Sequence, residues 1–288
     1  MTENYKIVRT LGHGSFGKVF LVKDSTGREF ALKNVSLFEQ TKYALNEFQV
    51  MKTLNHPQII KLYDFYPSST AFNFVMEYAV NGTLCDLIQK YTKNEGVYRL
   101  RTVSLLNYFC DIVHGVRYLH SKNIIHRDLK PANILIDKNW RFKLCDFGVS
   151  KIIENFPQQH TSIGTLTYMS PEVYLHRPYD KSCDIWSLGL ILYEMAFFKH
   201  LFNRDEKVRI INYTISFKCP IIKWESRCYD PRFQELLEIM VQRTPNKRAS
   251  ADFICKHNLL YFLFHEHELE AKKFIEENAA NRRKSKIF

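Results

Sequence analysis

The chain has 288 residues, 45% of them hydrophobic and 25% charged, with a formal net charge of +11. That apolar content is enough to bury a large core and fits one bilobal unit better than two independent folds, while no apolar run reaches membrane-spanning length and residues 1–5 open directly onto a strand-like run rather than a leader. The seven cysteines are odd in number and lack any Cys-x-x-Cys spacing, which speaks for reduced thiols rather than a disulfide framework or a zinc site.

The first predicted elements are two strands, 5–11 and 18–22, joined by Gly12-His13-Gly14-Ser15-Phe16-Gly17. A Gly-x-Gly-x-x-Gly run between strands reads first as a hairpin turn; a dinucleotide fingerprint needs a helix after it, and here a strand follows. Residues 30–33 form a third strand that carries Lys33 among apolar neighbours, where a lone lysine more often snorkels at an edge. Residues 41–54 place Ala44, Phe48 and Met51 at three- and four-residue steps, the pattern of an amphipathic helix. That helix offers Glu47 as a partner for Lys33, with Glu39, before the periodic stretch, as the competitor. Residues 71–78 read as a further strand leading to Asn81-Gly82.

The next segment is the most informative: His126-Arg127-Asp128-Leu129-Lys130-Pro131-Ala132-Asn133, with Asp146-Phe147-Gly148 starting thirteen residues after Asn133. Six positions fit a His-Arg-Asp-Leu-Lys-x-x-Asn pattern, and at about 1 in 20 per position an accidental match is on the order of one in sixty million. Moving a phosphoryl group to a hydroxyl requires an aimed nucleophile, a proton acceptor and oxygen ligands for metal ions. Asp128 can accept the hydroxyl's hydrogen bond, Lys130 can hold the γ-phosphate, and Asn133 with Asp146 can hold Mg²⁺. The stretch resembles the catalytic loop and metal-binding turn of a eukaryotic protein kinase. The resemblance runs over residues 5–262 and implies a bilobal α+β fold: a β-rich N-lobe with helix αC at 1–78, a mostly helical C-lobe at 79–262, and a basic helical tail at 263–288.

It also implies ATP and Mg²⁺ as cofactors and assigns roles along the chain. Leu11, Gly12, Gly14 and Gly17 would fold over the phosphates, glycine letting backbone N–H groups come close. Lys33 would contact the α/β-phosphates and pair with Glu47, which precedes His56-Pro57 by nine residues, the spacing of the αC glutamate in family members. Val19, Ala31 and Leu135 would sandwich the adenine, Met76 would guard the back pocket, and backbone groups of Glu77 and Ala79 would bond the base. Thr83 stands at the usual ribose-contacting acidic position, with Asp86 one turn on. Asp128, Lys130, Asn133, Lys33 and Glu47 form the catalytic set, and Asn133 with Asp146 the metal ligands. Thr165, in the substrate-receiving strand, joins Lys130 in implying serine/threonine substrates. Thr161 and Ser162 would be activating phosphosites answered by Arg127 and Lys151, with Tyr43 at the usual basic position on αC. Glu172 of Ser170-Pro171-Glu172 would pair with Arg248. The fourteen-residue separation of Lys33 and Glu47 is short for the family and implies a tether that favours the engaged helix.

Ser162-Ile163-Gly164-Thr165, Tyr168 to Glu172 and Val149-Ser150-Lys151 are most similar to the NimA-related kinases, although mitogen-activated kinase kinases share part of this pattern. That resemblance implies protein substrates, an activating kinase, a cytoplasmic, cytoskeletal or nuclear location, and cell-cycle, centrosome or cilium roles. A catalytically silent scaffold is the rival, opposed by the complete reactive set. The cluster Arg282-Arg283-Lys284-Ser285-Lys286 after a helix-like stretch at 265–280 reads as a solvated tail ahead of a docking or nuclear-import patch, with nucleic-acid binding through it as a third reading.

Overall fold

A computed structural model describes residues 5–14, 17–93, 100–152, 166–201 and 230–284. Short segments near the N-terminus, rich in apolar residues in β2, β3 and β5, form strands β1 (Lys6–Gly14), β2 (Gly17–Lys23), β3 (Glu29–Ser36), β4 (Leu62–Pro67) and β5 (Ala71–Glu77), in one antiparallel sheet of order β1-β2-β3-β5-β4. Because side chains alternate along a strand and directly opposed residues share a face, the register fixes what each face presents. Val19 pairs with Lys33, Lys33 with Phe74, and Ala31 with both Leu21 and Met76, so Val19, Ala31, Lys33 and Met76 share one face. The other face buries Val22, Phe30, Leu32 and Val75 beneath Tyr5, Phe20 and Tyr66.

Helix α1 (Leu37–Met51) follows β3 without an intervening residue. It starts four residues before the apolar periodicity that predicted 41–54, because its first turn is anchored by the β4–β5 hairpin, Leu37 N–H donating to Thr70 O at 3.0 Å, rather than by burial. It stops at Met51, where Thr53 and Leu54 tighten to bonds three residues back, onto Val50 O and Met51 O. Glu39 therefore lies inside the helix rather than before it.

The second lobe is helical: α2 (Leu84–Lys93), α3 (Thr102–Ser121), α4 (Pro171–Tyr174), α5 (Ser182–Phe197), α6 (Arg232–Met240), α7 (Ala251–Cys255) and α8 (Tyr261–Lys284). Helices α3 and α5 are apolar almost all round and form its core, with Phe109, Leu119 and Trp186 fully buried. Two small ribbons lie at the lobe junction: β6 (Ile124–Ile125) pairs with β9 (Lys151–Ile152), and β7 (Ile134–Ile136) with β8 (Phe142–Leu144). The lobes are stitched by Leu144, whose N–H donates to Gln58 O and whose carbonyl accepts from Ile60 N–H. Among the described residues no helix is long and apolar enough to cross a membrane.

Candidate active site

The face of the sheet that carries Lys33 closes on a buried ionic cluster. Lys33 Nζ donates to both carboxylate oxygens of Glu47, at 2.8 and 2.7 Å, and to Asp146 Oδ1 at 3.0 Å. Lys33 and Glu47 are 5% and 1% exposed, so neither charge could survive there alone. Burial by itself would favour the neutral amine, but the two carboxylates outweigh it and hold the Lys33 pKa well above its usual range. Burial likewise opposes ionisation of Asp146, and Lys33 overrides it, leaving the carboxyl low. Of the two glutamates weighed for Lys33, the structure brings Glu47 into the pair.

Asp146 has a left-handed backbone, φ +65°. The turn it begins is gripped by Asn46, whose Nδ2 donates to Ser150 O at 2.8 Å, Gly148 O at 3.1 Å and Phe147 O at 3.3 Å. Asn46 thus ties α1 to the Asp-Phe-Gly turn beside the Lys33–Glu47 pair. Nothing in the sequence singles it out except its place next to Glu47.

The catalytic-loop residues converge on Asp128, which is 8% exposed. Its Oδ2 accepts from Lys130 Nζ at 2.7 Å and from Asn133 Nδ2 at 3.0 Å, and its main-chain carbonyl also accepts from Asn133 Nδ2, at 2.8 Å. Pro131–Asn133 is a single 3₁₀ turn with proline at its start, where no N–H is needed. Cys145 N–H donates to Asn133 O at 3.0 Å and so fastens Asp146 to this loop. Burial pushes the Cys145 thiol up, which makes it a packing residue rather than a nucleophile.

The hinge follows from β5. Met76 lies opposite Ala31, and Glu77 N–H donates to Lys61 O at 2.9 Å. The Glu77 carboxylate is held by Lys143 of β8 at 2.8 Å. Asn81 N–H donates to Ile136 O, Ile136 N–H to Gly82 O, and Thr83 bridges Leu135, so the connection is laced to β7 with Leu135 beside it. Thr83 and Asp86 form a capping box: Thr83 N–H and Oγ1 donate to Asp86 Oδ2 at 2.9 and 2.7 Å, and Asp86 N–H donates back to Thr83 Oγ1. Both residues at the expected ribose position are engaged in starting α2.

The two outer glycines of the loop do different jobs. A Cβ at Gly17 would lie 2.0 Å from Asn34 O, so glycine there permits the close approach of β2 to β3. A Cβ at Gly12 would meet nothing within 4 Å, so packing does not demand glycine there. The donors fit a nucleotide with a hard divalent cation: the Asp146 carboxylate and the Asn133 amide oxygen, its amide nitrogen being spent on Asp128, are oxygen ligands of the kind Mg²⁺ takes. Lys33 and the cation would together neutralise the phosphates. Thr161, Ser162 and Thr165 lie outside the described residues, as does the Lys151 side chain. Arg127, at φ +69°, donates through Nε to Val149 O and through a terminal nitrogen to Tyr179 Oη at 2.8 Å. Glu172 and Arg248 form the bidentate pair expected of them, at 2.6 and 2.7 Å.

A five-stranded sheet and a helical lobe that hold a lysine–glutamate–aspartate cluster against an Asp-Lys-Asn loop define a protein kinase fold. The protein kinase domain family matches residues 5–260, and the chain belongs to that family. It is similar to serine/threonine-protein kinase Nek8 of Danio rerio, at 35% identity over 261 residues covering 88% of this chain and 36% of that protein. Nek3 of Mus musculus is 32% identical over 262 residues, 89% of this chain and 50% of its own. CBL-interacting serine/threonine-protein kinase 20 of Arabidopsis thaliana is 32% identical over 273 residues, 90% of this chain and 58% of its own. The chain therefore spans between about a third and three fifths of the length of these relatives.

Proposed function

We propose that the chain transfers the γ-phosphoryl group of MgATP to serine or threonine hydroxyls of proteins. The observation that carries this reading is the Lys33 ammonium held between Glu47 and Asp146, with Asp146 fastened to the loop in which Lys130 and Asn133 aim Asp128. Asp128 accepts the substrate hydroxyl's hydrogen bond and takes its proton as the new O–P bond forms and the β–γ bridging P–O bond breaks. Lys130, 2.7 Å from that carboxylate, balances its charge and faces the incoming phosphoryl group. Lys33 positions the α/β-phosphates, and Asn133 with Asp146 holds the cation, which supplies charge neutralisation when bound. Backbone groups of Glu77 and Ala79 bond the adenine, between Val19, Ala31 and Leu135.

Activation by phosphorylation of Thr161 or Ser162 is part of the proposal. Among the described residues the Arg127 guanidinium bonds only neutral acceptors, so its charge is available to a phosphate. The NimA-related similarity supports a role in cell-cycle or cytoskeletal structures, which imaging of the tagged chain at centrosomes and cilia would test. The direct test of activity is transfer of labelled γ-phosphate to a generic basic protein, with Asp146→Ala as control and the modified residues mapped. Label on serine or threonine, absent in the control, supports the reading. No transfer even after treatment with an upstream kinase, with nucleotide still raising Tm, would favour the scaffold. Arg127→Gln should keep basal transfer and lose the gain on phosphorylation.

A further inference from the structure

Away from the active centre, helix α3 carries Cys110 and His114 one turn apart, so both project from the same side. Helix α8 lays His267 against them. All three are buried, at 0%, 2% and 6% exposure, and their ligand atoms lie within 4.8 Å of one another. The rings of His114 and His267 are 5.8 Å apart between centroids. His114 Nε2 lies 3.2 Å from the carbonyl oxygen of Phe264; a carbonyl can only accept, so Nε2 carries the proton and Nδ1 the lone pair. A metal-binding histidine typically makes just such a bond with its other nitrogen. His267 Nδ1 is sealed from solvent and faces Asp111 Oδ1 at 3.2 Å, the carboxylate that orients its ring toward Cys110 and His114. Asp111 already accepts from Arg141, Gln58 Nε2 and Phe142 N–H.

We propose that Cys110, His114 and His267 form a binding site for a transition-metal cation of the zinc type. One sulfur and two imidazoles are the donor set such borderline-soft cations select, and bond lengths of about 2.0–2.3 Å require only a modest closing of the trio. On binding, the Cys110 S–H bond breaks, the sulfur pair goes to the cation and the proton leaves to solvent. Each imidazole gives a nitrogen lone pair. His267 lies beyond the 5–260 family match. The cation would therefore clamp the C-terminal helix onto the central helix of the domain, beside the ion pairs Arg117–Glu268 and Arg141–Glu270.

The test uses the whole chain, stripped with a chelator and titrated with Co²⁺ as the probe. One equivalent should bind with a near-ultraviolet thiolate-to-cobalt band, Zn²⁺ should displace it, and added Zn²⁺ should raise Tm. Cys110→Ser should abolish the band and Cys85→Ser should leave it. His267→Gln should weaken cobalt binding by at least the about 10–100-fold typical of losing a mere supporting residue. Circular dichroism would show whether each variant folds, and Cys110→Ser decides if His267→Gln does not. Failure to bind one equivalent, or a band unchanged in Cys110→Ser, would overturn the proposal and leave the trio as core packing. None of these readouts depends on phosphoryl transfer.

Discussion

Asp184 Oδ1 accepts the main-chain N–H of Arg127 at 2.9 Å, so a carboxylate in the first turn of α5 sets the backbone one residue before Asp128. Its other oxygen takes His126 N–H and His120 Nε2, each at 2.9 Å. These bonds hold Arg127 at φ +69°, a conformation that non-glycine residues adopt only when their surroundings enforce it. Burial alone would raise the Asp184 pKa, but the hydrogen bond and charge of His120, with the His126 N–H, bring it below the usual carboxylate value.

Because the folded pKa of Asp184 is the lower one, its stabilisation is fully present above about pH 4 and is lost as pH falls through the depressed value. Asp184→Asn should cost about 2–4 kcal/mol at pH 7, leaving donors without an ionised acceptor, yet flatten the acid limb. Urea unfolding from pH 7 to pH 2 measures both, and an unchanged acid limb would contradict the assignment.

Lys33→Met and Asp128→Asn should each abolish detectable transfer, the loss of one preorganised group costing about 10²–10³ in kcat. Circular dichroism should remain native. Wild-type turnover in either variant would remove that residue from the mechanism.

Asn46→Ala should lower kcat about 10-fold with KM for ATP nearly unchanged, since Asn46 aligns the Asp146 turn without reaching the nucleotide. Amide exchange at 147–150 should quicken in the same variant. A variant with normal exchange and reduced kcat would point to another route.

Glu172→Ala or Arg248→Ala should destabilise by about 3–5 kcal/mol, because each strands a buried charge. The double variant should lose less than the two singles together. Thermal melts of the four proteins close this cycle, and strict additivity would argue against coupling.

A short glycine-serine insertion between Ser36 and Leu37 should loosen α1 and weaken the Lys33–Glu47 pair. As it stands the helix begins where β3 ends, so it has little slack with which to swing away. Hydrogen exchange in the nucleotide-free protein is the measure: a wild-type α1 already as mobile as the insertion variant would refute the tether.

The strand segments at 30–33 and 71–78 were legible and fall on β3 (Glu29–Ser36) and β5 (Ala71–Glu77), while their register was not. Lys33, Glu47, Asp128, Asn133 and Asp146 were legible because their spacing follows a recurring pattern. The capping box was written in Thr83-x-x-Asp86, yet those residues were read for ribose contact. The early start of α1 was hidden because a main-chain bond to Thr70 leaves no mark on side-chain periodicity.

The sequence by itself determined which ionisable residues fill the kinase-like pattern and which segments become strands or apolar helices, since both depend on neighbours a few positions apart. Only the tertiary structure decided which charges neutralise one another. Lys33 meets Asp146 across 113 positions, and Asp184 reaches Arg127 across 57. His267 arrives beside Cys110 and His114 only because α8 packs on α3, joining residues that cysteine spacing alone would never connect. Such partners are selected by burial, which removes water as the alternative and leaves each ion or donor dependent on whatever group the fold brings within reach.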